Sequence, residues 1–325
     1  MPRQSDRDGL LAQFPESTPF PGLAPQMPHD ERAAILAELT PGHTIVEPAE
    51  QVAPFVFCSP HSGRQYPTVL RDAARLDSLA LRKSEDCYVD ELYGGVAELG
   101  APLIAARFPR AYLDVNREPY ELDPELFVGK LPSYANAQSV RVAGGLGTIA
   151  RIVADGEEIY RTPPTLPAAL ERIERLYRPF HGELTTMLER TFAKFGVAIL
   201  IDCHSMPSAA MSQSAGSRPD FVIGDRFGAS CDQRLTRMVR DRISRLGYHV
   251  QLNRPYAGGF ITEHYGRPHS GFHALQIEIN RALYLDEQTL QTTSGLIRLK
   301  KDLKALCRHL FAEFSPATDQ RAAAE

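Results

Sequence analysis

The chain has 325 residues, of which 43% are hydrophobic, and its formal net charge is −4 with a pI near 6.2. The sequence contains neither a basic block nor a stripe of Lys and Arg interleaved with aromatics, so nothing in its charge pattern supports nucleic-acid binding. No apolar run approaches the roughly 18 residues of a membrane span. The composition therefore argues against nucleic acid and membrane as partners.

The length is sufficient for a full hydrophobic core. We expect a flexible arm over residues 1–30, one α/β domain over 31–314 and a frayed tail over 315–325. The polar N-terminus lacks the apolar region of a signal peptide. Five cysteines are an odd number and include no CxxC pair, which argues against disulfides and against a structural zinc knuckle. A reduced, cytoplasmic protein is the prediction.

A short apolar run early in the chain leads to a histidine. Residues 54–59 read Pro-Phe-Val-Phe-Cys-Ser and predict a buried strand. Gly63 and Pro67 interrupt regular structure beyond it. His61 is therefore expected at the carboxyl end of this strand.

Residues 77–99 predict a helix that Gly100 ends. Its centre, residues 84–91, is dense in acids, and Asp86 and Asp90 are four apart, so they share one helix face. Two like charges on one face repel, which is easier to explain if a cation lies beside them. The alternative is a solvated acidic face.

A second strand is predicted over residues 102–108, and polar residues follow it. Residues 109–119 predict a strand with one polar, buried face, because polar side chains alternate there with apolar Leu113 and Val115; the polar residues are Arg110, Asp114, Asn116 and Arg117. A buried Arg normally has an anionic partner, either a protein carboxylate or a substrate. Residues 120–165 are rich in Gly and Pro and suit a loop region over a site.

The second half of the chain repeats the pattern of a strand that ends in polar residues. Residues 166–195 predict the longest helix, and His181 on it is expected to pack inside the protein. The apolar run 197–201 then predicts a buried strand that leads into Asp202 and His204. In open α/β sheets, ligands and reacting groups lie at the carboxyl ends of central strands.

Further strands are predicted over residues 220–225, 248–252 and 272–279, with a helix over 231–246. Alternation in the last strand puts Gln276 and Glu278 on one face, with Glu278 near the carboxyl end. Loops rich in Gly and Pro occupy 253–260 and 265–271. A final helix is expected from Asp286 to about Phe314.

Three strand ends thus offer His61, His204 and Glu278, and a neighbouring helix offers Asp86. Two histidines and one carboxylate, with one position left for water, form a catalytic zinc set. Zinc lowers the pKa of its bound water to about 7. A further carboxylate outside the metal shell takes the proton of the water and passes it to the leaving amine.

The sequence resembles the N-formylglutamate amidohydrolases in five segments. These are residues 59–63 with 66–67, residues 86 and 89–93, residues 110–117, residues 202–207 and residues 276–281. They occur in the expected order over about 220 residues. The resemblance implies a zinc-dependent hydrolase whose fold is similar to the zinc carboxypeptidases, a three-layer αβα structure with a mixed, mostly parallel central sheet.

The resemblance also implies roles for individual residues. His61, Asp86 and His204 would hold the zinc ion, Glu278 would act as general base and then acid, and Arg110 would stabilise the oxyanion. A carboxypeptidase has its second ligand, a Glu, three residues after the first His. This chain has Arg64 there, so we prefer Asp86 as the third ligand, with Glu85 and Asp90 as alternatives.

The same resemblance suggests how the substrate is held. Asn116 and Arg117 would grip the carboxylate beside the scissile amide. Arg151 and Arg267 are candidates for a second clamp on a side-chain carboxylate, and for each the alternative is an ion pair in a loop. Asp202 is expected to accept a hydrogen bond from a ligand histidine.

The leading hypothesis is a zinc amidohydrolase that cleaves a small N-acyl amino acid, N-formyl-L-glutamate first among them. Alternatives in the same superfamily are an aspartoacylase-like or succinylglutamate-like deacylase and an acidic-peptide carboxypeptidase. A non-catalytic carboxylate-binding protein belongs to a different class. Glu278 argues against it, because binding alone needs no base.

Overall fold

The computed structural model describes residues 29–153, 156–210 and 218–314. The arm predicted over residues 1–30 and the tail over 315–325 lie outside the described residues, except that residues 29 and 30 begin the first helix. Among the described helices, none combines the length and the apolar character needed to cross a bilayer. All five cysteines are free and buried.

The centre of the fold is a seven-stranded sheet in the order β1-β3-β2-β4-β7-β5-β6. Its strands are β1 (His43–Val46), β2 (Phe55–Ser59), β3 (Leu103–Ala106), β4 (Ala198–Met206), β5 (Phe221–Gly224), β6 (Val250–Leu252) and β7 (Phe272–Asn280). β1 is antiparallel to β3 and β5 is antiparallel to β7, whereas the other neighbouring pairs are parallel. The predicted mixed, mostly parallel sheet is confirmed.

Helices cover both faces of this sheet. In chain order they are α1 (His29–Glu38), α2 (Thr68–Ala73), α3 (Ser78–Arg82), α4 (Val89–Tyr93), α5 (Val140–Ala143), α6 (Leu166–Arg172), α7 (Arg178–Phe195), α8 (Gln233–Arg245), α9 (Phe260–Tyr265) and α10 (Gly295–Glu313). A π-helical turn, Ile173–Tyr177, joins α6 to α7, so the long helix predicted over 166–195 is continuous.

Alternating side chains of the strands pack into two separate cores. Ala198 and Leu200 point into a core that α1, α6 and α7 cover, and Ile199 and Ile201 point into a core that α4, α8 and α10 cover. A central strand is buried on both faces for this reason, which is why its sequence is continuously apolar rather than alternating. The αβα layering predicted from the sequence is confirmed.

Strands β2, β4 and β7 are neighbours and parallel, so their carboxyl ends meet at one edge of the sheet. In the β4–β7 ladder, Asp202 is opposite Gln276 and His204 is opposite Glu278. Paired residues of neighbouring strands point to the same face. The register therefore brings His204 and Glu278 together, as the sequence predicted.

The prediction of one helix over residues 77–99 is wrong in the middle of that range. α3 ends at Arg82, residues 83–88 form a loop, and a 3₁₀ helix, Gly94–Leu99, follows α4. Tyr88 has a φ of 61°, in the left-handed region that interrupts a helix. The Asp86 N–H donates to the carbonyl of His61 at 3.0 Å instead of to a helical partner. Asp86 and Asp90 consequently do not share a helix face.

Two other predicted elements differ from the structure. Residues 109–119 form turns rather than a strand, in which the Pro109 carbonyl accepts a bond from Tyr112 N–H and the Asp114 side-chain Oδ1 accepts one from Asn116 N–H. The last helix begins at Gly295, not at Asp286. The Asp286 carboxylate instead caps a turn between two short strands, β8 (Leu285–Asp286) and β9 (Gln291–Thr292).

Candidate metal and active site

Three donor atoms converge where β2 and β4 end. His61 follows β2, His204 lies near the end of β4, and Asp86 lies in the loop after α3. One ligand atom of each lies within 4.8 Å of the others, and all three residues are buried. Asp86 Oδ2 is 2.8 Å from His204 Nδ1 and 3.5 Å from His61 Nδ1. The Nδ1 atoms of both rings therefore face the same carboxylate oxygen.

The far nitrogen of each ring is bound to a further carboxylate. His61 Nε2 lies 2.7 Å from Asp114 Oδ1, and His204 Nε2 lies 2.9 Å from Asp202 Oδ1. Asp202 also accepts a bond from the Thr262 hydroxyl at 2.9 Å. A carboxylate on one ring nitrogen holds the proton there and leaves the other nitrogen available as a ligand, an arrangement common around metal-binding histidines.

These groups strongly perturb one another. Burial alone would raise the pKa of Asp86, but the hydrogen bond with His204 and the nearby His61 ring outweigh burial and hold that pKa well below its usual range. Burial likewise would lower the pKa of His204, but Asp202 and Asp86 raise it well above its usual range. The carboxylates around the two histidines thus favour positive charge between the rings.

The donor set fits a divalent cation. His61 Nδ1 is buried and has no hydrogen-bond partner among the described residues, although it points at Asp86. Two ligands of a tetrahedral zinc ion are about 3.3 Å apart, given ligand distances near 2.0–2.1 Å. The distances from Asp86 Oδ2 to the two Nδ1 atoms, 2.8 and 3.5 Å, lie on either side of that value. An ion at this point would satisfy the orphaned nitrogen.

The two alternative acids for the third ligand are engaged elsewhere. Glu85 accepts bonds from Tyr66 Oη at 2.7 Å and from Arg82 Nε at 3.0 Å. Asp90 pairs with Arg64 at 2.9 Å. Of the three acids considered from the sequence, the structure brings only Asp86 to the histidines.

Glu278 lies beside this cluster on β7. Its Oε1 accepts a hydrogen bond from Gln276 Nε2 at 2.9 Å, while Gln276 Oε1 accepts one from Gly259 N–H. Burial, opposed by the charge of His204, raises the pKa of Glu278 to about 7. A carboxyl group with this pKa takes up and releases a proton near neutral pH.

Asp114 links His61 to two arginines. Its Oδ2 lies 2.8 Å from Arg110 Nη2 and 3.5 Å from Arg117 Nη2, while its Oδ1 binds His61. Burial would raise the pKa of Asp114, but Arg117, His61 and Arg110 together lower it well below its usual range. Asp114 lies between Arg110 and Arg117 in the sequence, where nothing connects it with the metal site. Its partner His61 lies 53 residues away, so no local pattern indicated the contact.

The predicted grip on the substrate carboxylate is partly occupied by the protein itself. Arg117 donates through Nε to Leu146 O at 2.8 Å and through Nη1 to Asn116 O at 2.7 Å. Asn116 Oδ1 accepts from Ile261 N–H at 2.7 Å. A Cβ on Gly259 would lie 2.4 Å from Asn116 Nδ2, so glycine is required at this close approach. Both Asn116 and Arg117 line the cavity above the cluster.

This cavity has a volume of about 590 Å³. Among the residues described as lining it, six are Lys or Arg and three are Asp or Glu, and the cations are Lys83, Arg110, Arg117, Arg141, Arg226 and Arg281. The loops 120–165 and 253–260 both contribute to its wall, the latter through Tyr256. The excess of cations suits an anionic ligand.

The structure places Arg151 and Arg267 away from this cavity, since neither is among the described residues that line it. Arg151 lies 2.8 Å from Asp123 and 3.2 Å from Glu125, which is the loop ion pair considered as its alternative. Arg267 lies before β7, at the opposite end of that strand from Glu278. Arg141 and Arg226, which our sequence analysis missed, lie in the wall instead.

The chain is similar to known proteins in both sequence and structure. A profile of the N-formylglutamate amidohydrolase family matches residues 53–285. N-formylglutamate deformylase of Pseudomonas aeruginosa is 33% identical over 240 residues, covering 72% of this chain and 83% of that protein. The deformylase of Pseudomonas putida is 31% identical over 238 residues, covering 72% and 82%.

A solved structure shows the same relationship. The crystal structure of N-formylglutamate amidohydrolase from Ralstonia eutropha JMP134 superposes with a TM-score of 0.80 at 35% identity, covering 84% of this chain and 98% of that one. A metallo-carboxypeptidase from Pseudomonas aeruginosa is also found, at a TM-score of 0.36 and 14% identity, a likeness too weak to carry an argument. The resemblance predicted from five sequence segments is confirmed at the level of the family.

Proposed function

Because the chain belongs to the N-formylglutamate amidohydrolase family, we propose that it hydrolyses an N-formyl amino acid, with N-formyl-L-glutamate as the substrate and formate and L-glutamate as the products. The observation that carries the proposal is the convergence of His61, Asp86 and His204 with Glu278 in one cation-lined cavity. A zinc ion held by these three donors would activate water and polarise the formyl carbonyl.

The residues around the donors have complementary tasks in this proposal. Glu278 takes a proton from the attacking water and delivers it to the amine that leaves, which its pKa of about 7 permits in both directions. Arg110 lines the cavity and uses Nη2 on Asp114, which leaves other N–H groups of its guanidinium to stabilise the oxyanion.

The charge of the cavity supports a substrate with two carboxylates. Arg117 and Asn116 are the candidates for the carboxylate next to the scissile amide. We assign the second carboxylate to Arg141 or Arg226, which line the wall from different loops. Arg141 Nη1 is 3.7 Å from Glu121, a distance beyond a hydrogen bond, whereas Arg226 Nη2 is 2.7 Å from Glu263. Arg141 is therefore the stronger candidate.

The direct test is formate release from N-formyl-L-glutamate by zinc-loaded protein, compared with N-acetyl, N-succinyl and peptide substrates of the same amino acid. We expect the formyl substrate to be cleaved best. Preference for the N-acetyl or N-succinyl compound would favour the other deacylases, and cleavage of the peptide would favour a carboxypeptidase. Tight binding of N-formyl-L-glutamate without turnover would indicate a binding protein.

Replacing Arg141 by Ala should raise KM for N-formyl-L-glutamate by roughly ten- to a hundredfold, because a hydrogen bond to a charged group contributes about 1.5–3 kcal/mol. The KM for N-formyl-L-glutamine, which lacks the second charge, should change much less. Steady-state kinetics on both substrates measures the difference. If instead Arg226→Ala or Arg151→Ala selectively raises KM for N-formyl-L-glutamate and Arg141→Ala does not, the arginine whose replacement has the effect is the clamp.

A further inference from the structure

The two carboxylate oxygens of Asp86 have different surroundings. Oδ2 faces His204 Nδ1 at 2.8 Å and His61 Nδ1 at 3.5 Å. Oδ1 accepts a hydrogen bond from Arg281 Nη2 at 3.0 Å. One oxygen is thus presented to the metal donors and the other is held by an arginine.

Arg281 makes this contact from a buried position, with 5% of its surface exposed. Its Nη1 donates to Lys83 O at 3.0 Å, and its Nε donates to Ser205 Oγ at 3.1 Å. Arg281 directly follows β7, three residues after Glu278. Its guanidinium therefore connects the loop that carries Asp86 with the ends of the strands that carry His204 and Glu278.

Each of the three metal donors has its other polar atom fixed by a charged partner. Asp114 binds the far nitrogen of His61, Asp202 binds that of His204, and Arg281 binds the far oxygen of Asp86. Asp86 needs such a partner more than the histidines do, because it lies in a loop rather than at a strand end. Without it, the carboxylate is free to turn both oxygens toward an ion.

We infer that Arg281 is a positioning residue of the metal site, a role that rests on the proposed zinc function. By holding Oδ1, it makes Asp86 a ligand through Oδ2 alone. Zinc in catalytic sites is bound by three protein atoms and keeps a fourth position for water or substrate. A second oxygen from Asp86 would occupy or distort that position.

Geometry and charge predict opposite effects of removing Arg281. The positive charge of Arg281 repels a cation, so its removal would tighten zinc binding if charge alone mattered. Its hydrogen bond orients a ligand, so its removal weakens zinc binding if positioning dominates. Partners that orient metal ligands are typically worth about 10–100-fold in metal affinity.

The experiment measures the zinc dissociation constant by competition with a chelator for wild type, Arg281→Gln and Arg281→Lys. We expect Arg281→Gln to bind zinc about 10–100-fold more weakly. Arg281→Lys keeps the charge but has one nitrogen for several acceptors, so it should also bind more weakly. Tighter binding by the Gln variant, together with unchanged binding by the Lys variant, would overturn the inference.

Two further variants guard against a general loss of folding. Arg82→Gln serves as the matched control, because Arg82 pairs with Glu85 in the same loop and has no described contact with Asp86. It should leave zinc affinity nearly unchanged. Ser205→Ala removes the acceptor of the Arg281 Nε bond and leaves the bond to Asp86 in place, so it should weaken zinc binding slightly, with an unchanged circular dichroism spectrum.

The outcomes separate this inference from the proposed function. If wild type binds zinc tightly and both Arg281 variants bind it equally well, the positioning role is wrong and the zinc site stands. If wild type does not bind zinc, the site assignment and this inference both fail. A structure of zinc-loaded Arg281→Gln should show Asp86 contacting the ion through both oxygens.

Discussion

Replacing Glu278 by Gln should lower kcat for N-formyl-L-glutamate by about 10²–10⁴-fold, the range for losing a general acid–base residue. The substitution keeps the shape of the side chain, and the oxygen of the new amide can still accept the bond that Gln276 Nε2 now donates at 2.9 Å. Zinc content and KM should change little, because Glu278 is not among the three metal donors. Steady-state formate release and elemental analysis measure the three quantities.

The matched control is Glu91→Gln, an exposed acid that pairs with Arg64 and Lys300 outside the cavity. It should retain wild-type kinetics. Full activity of Glu278→Gln would disprove the assigned base even if the deformylase activity is real. Loss of zinc from Glu278→Gln would instead show that this carboxylate belongs to the metal shell.

The pH dependence of the wild type gives a second measure of Glu278. Burial raises the pKa of this carboxyl to about 7, so the fraction in the base form rises as pH increases toward neutrality. A nearby divalent cation favours the carboxylate, which places the rise at or below about pH 7. The acid limb of kcat/KM should be present in wild type and absent in Glu278→Gln.

Removing a metal-donor histidine should have the other large effect. His61→Ala and His204→Ala should each contain well under one zinc per chain and lose on the order of 10³-fold or more in turnover, because in the proposed mechanism the ion that they would hold activates the water. Loss of one oxyanion stabiliser alone costs about 10²–10³ in kcat. Elemental analysis after dialysis, with formate release on the same samples, gives both values.

The control for this pair is His43→Ala, because His43 lies on the edge strand β1, away from the cavity. It should keep the zinc content of wild type. Full zinc occupancy in both His61→Ala and His204→Ala would disprove the metal site. Circular dichroism is needed beside it, since Asp202 and Asp114 are left as buried carboxylates without their histidine partners.

The sequence by itself determined six of the seven strands of the central sheet, all but β1, and the residues at its carboxyl edge. Buried parallel strands must be continuously apolar, so β2 and β4 were recognisable from short runs of residues. Their polar ends then marked His61 and His204, and alternation marked Glu278. His181 was correctly predicted to be internal, and it bonds Tyr265 Oη at 2.9 Å and Val115 O at 2.8 Å.

Only the tertiary structure decided how Asp86 is presented. Local periodicity predicted a helix through residues 77–99, and such a helix would have placed Asp86 and Asp90 on the same face. Bonds to distant residues override that preference, since Asp86 N–H binds His61 and Asp86 Oδ1 binds Arg281, 195 residues away. Intrinsic helix propensity is worth under about 1 kcal/mol per residue, and several long-range bonds outweigh it.

The tertiary structure also decided which of the arginines considered for substrate binding line the cavity. Arg151 and Arg267 stand in Gly- and Pro-rich segments like those of Arg141 and Arg226, and charge alone does not distinguish the four. The direction of a side chain in a loop depends on the backbone groups to which the loop is hydrogen-bonded. Those groups are distant in sequence. Arg141 lies in the cavity wall, while Arg151 pairs with Asp123. Strand periodicity therefore indicated the residues of the proposed metal site, whereas the folding of the loops decides which arginines line the cavity.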